Sequence, residues 1–388
     1  MFSRKLGFGA DRNSERLDMP KQGEEKPAFV RGPALVTVAQ LPAFDEIIDA
    51  RSEGEFEEDH VPGAINCPVL NNDERARVGT IYKQRSSFEA KRIGAALVAA
   101  NIARHLEQRL NDRPREWRPL VYCWRGGSRS DAFAHVLHQV GWRAGRIDGG
   151  YRAYRRTVVE ELAALPARYR WKVICGLTGT GKSRLLRALN EAGAQVLDLE
   201  ALAAHRGSVL GEIPGRMQPT QKMFESRVWG ALKGFNAARP VYVEAESRKI
   251  GALRVPDALI DAMWAAECLV LEAPVETRVA LLKEEYSHFF ANVDLLNEKL
   301  QYLVPLHGHA VIDNWKSLAL AGRWDKLTVD LLARHYDPAY TRAIIKHYPA
   351  LDRAPRLRLA SADDAAFAAL VRQCMGGSRV ADRGSPSP

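Results

Sequence analysis

The octet GLTGTGKS at residues 176–183 constrains this chain more than any other stretch. It satisfies the pattern G-x-x-x-x-G-K-[ST] at every fixed position. The apolar run WKVIC precedes it at 171–175, and Leu185, Leu186 and Leu189 recur on one helical side after it, with Gly193 as a stop. A strand that runs into such a loop and then a helix specifies a parallel α/β unit with an anion site at the helix N-terminus. Gly176, Gly179 and Gly181 let the backbone close around the ligand, and the amides of 178–183, those of Thr178 and Thr180 included, are expected to face its oxygens. Lys182 is expected to neutralise a bound diphosphate, and Ser183 to offer its hydroxyl to Mg²⁺. This geometry demands a diphosphate but no particular group attached to it.

The rest of the chain extends the α/β reading. Short apolar runs alternate with helical patterns: EIIDA at 46–50, PLVYC at 119–123, WRAGRID at 142–148, AQVLDLE at 194–200, PVYVEAE at 240–246 and ECLVLEAP at 267–274. Such alternation implies parallel sheets covered by helices. Two tandem parallel-sheet domains are expected, over 34–158 and 171–275, with a linker at 159–170 around AALPARYR. A helical extension of the second domain is expected over 276–375, where RVALLKEEY and KLTVDLLARHY carry helix-spaced apolar residues. The polar, aperiodic ends at 1–33 and 376–388 read as flexible tails.

A length of 388 residues with 46% hydrophobic and 27% charged residues fits two or three globular domains. Five scattered cysteines without a CxxC pair argue against a disulfide framework or a Cys-rich zinc site, and fit a reducing cytoplasm. No signal peptide, membrane span or internal repeat is read. The formal net charge of +9 suggests a polyanionic partner, with nucleic acid the natural candidate.

The second loop to stand out is LVYCWRGGSRS at 120–130. A buried strand ends at Cys123, and from Ser130 onward Phe133, Val136, Leu137 and Val140 mark one helical face that Gly141 terminates. Trp124, Arg125, Gly126, Gly127 and Ser128 must therefore curl between strand end and helix start, forming an anion nest. That environment favours the thiolate of Cys123. Arg129 is placed to grip an oxyanion with its fork. The structural alternative is a small buried hydrophobe at a strand end; the density of Arg and Gly favours the reactive reading.

Partners for the glycine loop should come from neighbouring strand ends, where Asp198, Glu200, Glu244 and Glu246 lie, each a candidate metal ligand or general base. HRGS at 205–208 and ESRKIG at 246–251 add cations there. Thr220, Gln221 and Lys222 are expected in a loop able to close over the site.

The first domain resembles the rhodanese family. IIDARSEGEFEEDHVPGAINCPV at 47–69 is similar to its Asp-x-Arg and His-x-Pro-Gly-Ala segments, and IDGGYRAY at 147–154 to its closing Gly-Gly-Tyr segment. The resemblance implies that Cys123 carries sulfur or selenium. The five residues between Cys123 and Arg129, one more than in the usual sulfurtransferase loop, would admit a larger or tetrahedral group. Joined to the glycine-loop domain, the whole from about 34 to 350 resembles the bacterial tRNA 2-selenouridine synthase family. VGTIYKQRSSFEAKRIGAALVAANI at 78–102, DLEALAAHRGSVLG at 198–211, QPTQKMFES at 218–226 and VEAESRKIG at 243–251 carry that likeness.

The family resemblance implies a monomeric cytoplasmic enzyme acting on wobble 2-thiouridine of tRNA. It implies S-geranylation with geranyl diphosphate, then selenium transfer from selenophosphate through a perselenide on Cys123, with no tightly bound cofactor and Mg²⁺ as a candidate ion. Trp124 is a candidate for stacking on an anticodon-loop base. Three other readings are carried: a P-loop kinase or NTPase fused to a sulfur carrier, a Cys123 phosphatase with a regulatory P-loop domain, and an RNA-binding adaptor.

Overall fold

The computed structural model describes residues 32–376. The tails expected at 1–33 and 376–388 fall outside these but for their innermost residues.

The first sheet holds β1 (Ala34–Val36), β2 (Glu46–Asp49), β3 (Ile65–Asn66), β4 (Pro119–Tyr122) and β5 (Gly145–Ile147) in the order β1-β5-β4-β2-β3. Every pairing is parallel. All four residues of β4 are buried, so the central strand reads as an unbroken apolar run rather than an alternating one. The second sheet contains β6 (Trp171–Cys175), β7 (Gln195–Leu197) and β8 (Val241–Glu244), with β6 in the centre. Beyond β6 come the strands Glu267–Glu272 and Arg356–Arg358, again all parallel. The fold class is as read: two parallel α/β domains followed by a largely helical region.

Two boundaries differ from expectation. The helix Gly150–Ala164 runs through the expected edge at 158, and one 3-10 turn, Leu165–Arg168, leads directly into β6. Its Tyr154, Val158 and Leu162, spaced four apart, are buried in one core with Phe224, Val228 and Trp229 of the helix Gln221–Lys233. Trp229 meets the Tyr154 ring edge-on at 5.5 Å and donates from Nε1 to Glu161 Oε2 at 2.7 Å. The segment expected as a linker is thus a spine shared by both domains.

The second difference is in the helical region, where Arg356–Arg358 returns to hydrogen-bond beside Glu267–Glu272. The helix Asp364–Gly376 then packs Phe367 and Leu370 with Leu185 and Leu189 of the Lys182–Glu191 helix. Residues 276–375 therefore complete the second domain. Only Leu357 of this edge strand is buried, which leaves little period for the sequence to display.

Candidate functional site

Cys123 follows β4 directly and is buried, its Sγ 3.2 Å from Ser130 Oγ and 3.8 Å from the Gly127 carbonyl. The helix Ser128–Val140 starts from Gly127 and ends on Gly141 in the left-handed region. Its buried side is Phe133, Ala134 and Leu137; Val140, expected there, is exposed because the last turn overhangs the sheet-facing core.

The loop is clamped from behind. The Tyr151 amide donates to the Cys123 carbonyl at 2.8 Å, and the Arg152 amide to that of Trp124 at 3.1 Å. Gly150, at φ +57°, leaves no room for a side chain, because a Cβ would run into the Cys123 carbonyl and the Gly126 amide. That close approach is the physical reason for the GGY segment.

Half-buried Trp124 stacks on Tyr151 with ring centroids 5.3 Å apart. Tyr151 lies over the guanidinium of buried Arg51 at 3.9 Å and donates to Asp59 at 2.7 Å. Arg51 is itself paired with Asp49 at 2.6 Å. The Asp-x-Arg segment thus props the wall of the loop rather than entering it.

Arg129 Nη1 reaches Glu55 Oε2 at 3.2 Å, and Arg75 reaches the same oxygen at 3.0 Å. Burial works against the Glu55 charge, yet these two cations hold its carboxyl below the ordinary range. Arg125, Gly127 and Ser128 stand exposed at the loop surface. Glu55 is a partner that sequence reasoning missed; it lies in a plain acidic run, EGEFEED, with nothing to single it out.

The glycine loop leaves β6 in the same way. Gly176, Leu177, Thr178, Gly179, Thr180 and Gly181 curl into the helix Lys182–Glu191, with Gly181 at φ +86° as its cap. A Cβ on Gly181 would strike the ring of Phe367. Lys182 Nζ folds back on the Gly176 and Leu177 carbonyls, at 2.9 and 3.4 Å. Thr180 is buried, with its hydroxyl on the Leu177 carbonyl at 2.9 Å.

The helical region fixes this loop from the side. Buried Arg278 donates from Nε to the Thr178 carbonyl at 2.8 Å and forks onto Asp337. The Gly176 amide donates to the Tyr340 hydroxyl at 2.8 Å. Neither Arg278 nor Tyr340 carried a local signal, since each is placed only by tertiary packing.

Ser183 Oγ donates to Glu200 at 3.0 Å and lies 3.2 Å from Glu244 Oε2. Glu200, Glu244 and Glu246 each offer an oxygen within 4.8 Å of the others. Burial first raises all three carboxyls, Glu200 to about 7, Glu246 to about 8 and Glu244 well above its ordinary value; the Glu200 charge adds to the rise of Glu244 and Glu246, and Glu285 and Asp198 add to that of Glu200. Glu244 Oε1 is buried and has no hydrogen-bond partner among the described residues. An orphaned oxygen within a hard-oxygen trio beside the Ser183 hydroxyl fits a divalent cation such as Mg²⁺.

Asp198 stands apart from the trio: it caps the helix Leu199–Ala203 through the Ala201 amide at 2.8 Å. Thr220 and Lys222 also differ from expectation. Thr220 caps the helix Gln221–Lys233, and Lys222 pairs with Glu58 of the first domain at 2.6 Å. Gln221 bonds the Arg254 backbone. Rather than covering the glycine loop, Thr220, which also donates to the Glu58 carbonyl, and Lys222 join the domains, and Gln221 ties its helix within the second domain.

The glycine loop opens on a cleft of about 1190 Å³. Arg206, Arg216, Arg248, Lys249 and Arg254 line its basic side, as the HRGS and ESRKIG segments suggested.

The rhodanese-like domain family matches residues 37–157, and the tRNA 2-selenouridine synthase AAA domain family matches residues 169–299. A tRNA 2-selenouridine synthase from Aeromonas salmonicida is 32% identical over 76% of this chain and 86% of its own length. The chain belongs to the tRNA 2-selenouridine synthase family. Family members from Nitrosomonas europaea (36% identical; 62% of this chain, 63% of that one) and Alcanivorax borkumensis (35%; 65% and 71%) are also similar to it. In this synthase-family chain the two family matches divide where β5 and its following helix give way to β6, so each carries one of the two loops.

Proposed function

We propose that this chain converts wobble 2-thiouridine in tRNA to 2-selenouridine in two steps, one at each loop. In the first, the sulfur of the base attacks C1 of geranyl diphosphate, and diphosphate leaves into the amides of 178–183. Lys182 would turn from the loop carbonyls to meet the developing charge. Mg²⁺ held by Ser183, Glu200, Glu244 and Glu246 would supply further charge neutralisation. In the second step, the Cys123 thiolate attacks phosphorus of selenophosphate and the P–Se bond breaks, releasing selenium as selenide. The selenide forms the new C–Se bond at C2 of the base as the C–S bond breaks and geranylthiolate leaves, and water then hydrolyses the phosphate from Cys123 Sγ. Selenium in selenophosphate is already at the selenide level, so a perselenide on Cys123 would need a two-electron oxidant. Arg129 and the amides around Gly126 and Gly127 would hold the selenophosphate oxygens.

The observation that carries this reading is Cys123 itself: a buried thiol just past the central strand of one domain, joined through the shared Gly150–Ala164 helix to a glycine loop just past the central strand of the next. The net charge of +9 and the basic side of the cleft suit a tRNA backbone.

Nucleoside mass analysis of tRNA treated with each variant tests it. Cys123→Ser is expected to abolish 2-selenouridine while S-geranyl-2-thiouridine accumulates. Lys182→Ala is expected to slow geranylation by about 100-fold or more, the scale of losing one transition-state charge partner. The reverse pattern would overturn the division of labour, and Lys182-dependent ATP hydrolysis without geranylation would favour the kinase reading.

A further inference from the structure

The helices that follow the second sheet enclose a small apolar cavity beside the glycine loop. Its walls are formed by Leu210, Phe289, Leu296, Leu327 and Leu331. Phe290 and Trp324, in ring contact at 4.5 Å, and Thr328 line the part that the large cleft does not share. Cavity and cleft have Thr178, Leu282, Tyr286 and Tyr336 in common, so the void opens where the diphosphate loop begins.

The lining is mostly apolar, with polar groups confined to Thr178, Lys283, Tyr286, Trp324, Thr328 and Tyr336, so a nucleoside would leave many of its ring nitrogens and hydroxyls unpaired, each at a cost. A hydrocarbon meets no such penalty. The void measures about 70 Å³. One water-sized group takes up roughly 10–15 Å³ of such a space, so it holds about five to seven carbon atoms, one isoprenoid unit.

We propose that this cavity receives the distal end of the hydrocarbon chain of an allylic diphosphate whose diphosphate lies in the glycine loop, and that it sets the chain length accepted. The proposal rests on the geranylation reading above and adds to it the place and the selectivity. The proximal unit would then span the shared neck at Thr178, Leu282 and Tyr286, leaving C1 in the cleft. There the sulfur of the base forms the new C–S bond as the C1–O bond breaks. The electron pair leaves with diphosphate, and the proton on N3 of the base passes to solvent.

The test measures kcat/KM of the full chain on 2-thiouridine tRNA with dimethylallyl, geranyl and farnesyl diphosphates. Wild type should prefer the ten-carbon chain. Thr328→Phe, which plugs the void, should cut the geranyl-to-dimethylallyl ratio at least about tenfold, the scale of one or two misplaced carbons in an apolar pocket. Trp324→Ala, which extends it, should raise the farnesyl-to-geranyl ratio, a gain that a misfolded variant cannot produce. Wild-type geranylation with both ratios unchanged in the variants would overturn the cavity alone. A wild type inert to all three diphosphates would overturn the geranylation reading and this proposal with it.

Discussion

The cysteine loop and the glycine loop are one backbone device used twice. Each leaves the carboxyl end of the central strand of a five-stranded parallel sheet, β4 or β6, and opens a helix. They differ in what closes them. The cysteine loop is backed by the Gly150–Tyr151 backbone and props one buried sulfur among ion pairs. The glycine loop is held at its sides by Arg278 and Tyr340 and faces a cleft of about 1190 Å³ in which Glu200, Glu244 and Glu246 cluster. Both loops leave orphan amides at a helix start, an arrangement that favours an anion. What surrounds the amides decides whether the site presents a reacting atom or a cradle with room for a substrate.

The sharpest way to break the comparison is to uncouple its halves. Trp229 is buried between the domains and bonded to Glu161, so Trp229→Ala should cost about 3–5 kcal/mol, the usual scale for deleting a buried Trp. Urea unfolding followed by circular dichroism should show that loss, with the single transition splitting in two. An unchanged midpoint would mean the loops sit on independent domains.

A second test concerns the carboxylates that only the glycine loop has. Glu200 and Glu246 are raised to about 7 and about 8, so the folded chain holds protons that the unfolded chain has released above about pH 4.5. Without metal, this contribution to stability is present below that range and is lost as pH rises from about 4.5 to about 8. A divalent cation replaces the protons, so the Tm gain from millimolar Mg²⁺ should grow from near zero at about pH 6 to a few degrees at about pH 8. Glu244→Gln should raise the metal-free Tm at high pH and remove the Mg²⁺ response. A Mg²⁺ gain independent of pH would count against these carboxylates as its ligands.

The smallest expected effect is at the cysteine loop. Glu55→Gln removes the carboxylate that competes for Arg129, so anion affinity there should rise about two- to fivefold, the effect of a partly screened charge pair. Tryptophan fluorescence during a phosphate titration would follow it, since Trp124 borders the loop. Weaker anion binding in this variant would mean that Glu55 aims Arg129 rather than restrains it.

Both loops, the parallel α/β class, and the placement of Cys123, Lys182 and Ser183 between strand end and helix start were legible because each depends on local pattern: an apolar run, glycines at fixed spacing, then helix-spaced leucines. Glu200, Glu244 and Glu246 were legible as candidates at strand ends, but their convergence was not. The linker reading failed because Tyr154, Val158 and Leu162 signal a buried face without saying which domain buries it. The strand Arg356–Arg358 was missed because three residues flanked by arginines carry almost no period.

By itself, then, the sequence determined two strand–loop–helix turns and the residues at their floors, since backbone curl and side-chain chemistry there are set within about a dozen consecutive residues. Tertiary structure alone decided their surroundings: the Glu55 carboxylate paired with Arg129 and Arg75, the Arg278 and Tyr340 props, the carboxylate trio and the apolar cavity. Those contacts join residues from well-separated stretches of chain, and no local pattern encodes which distant side chains will meet.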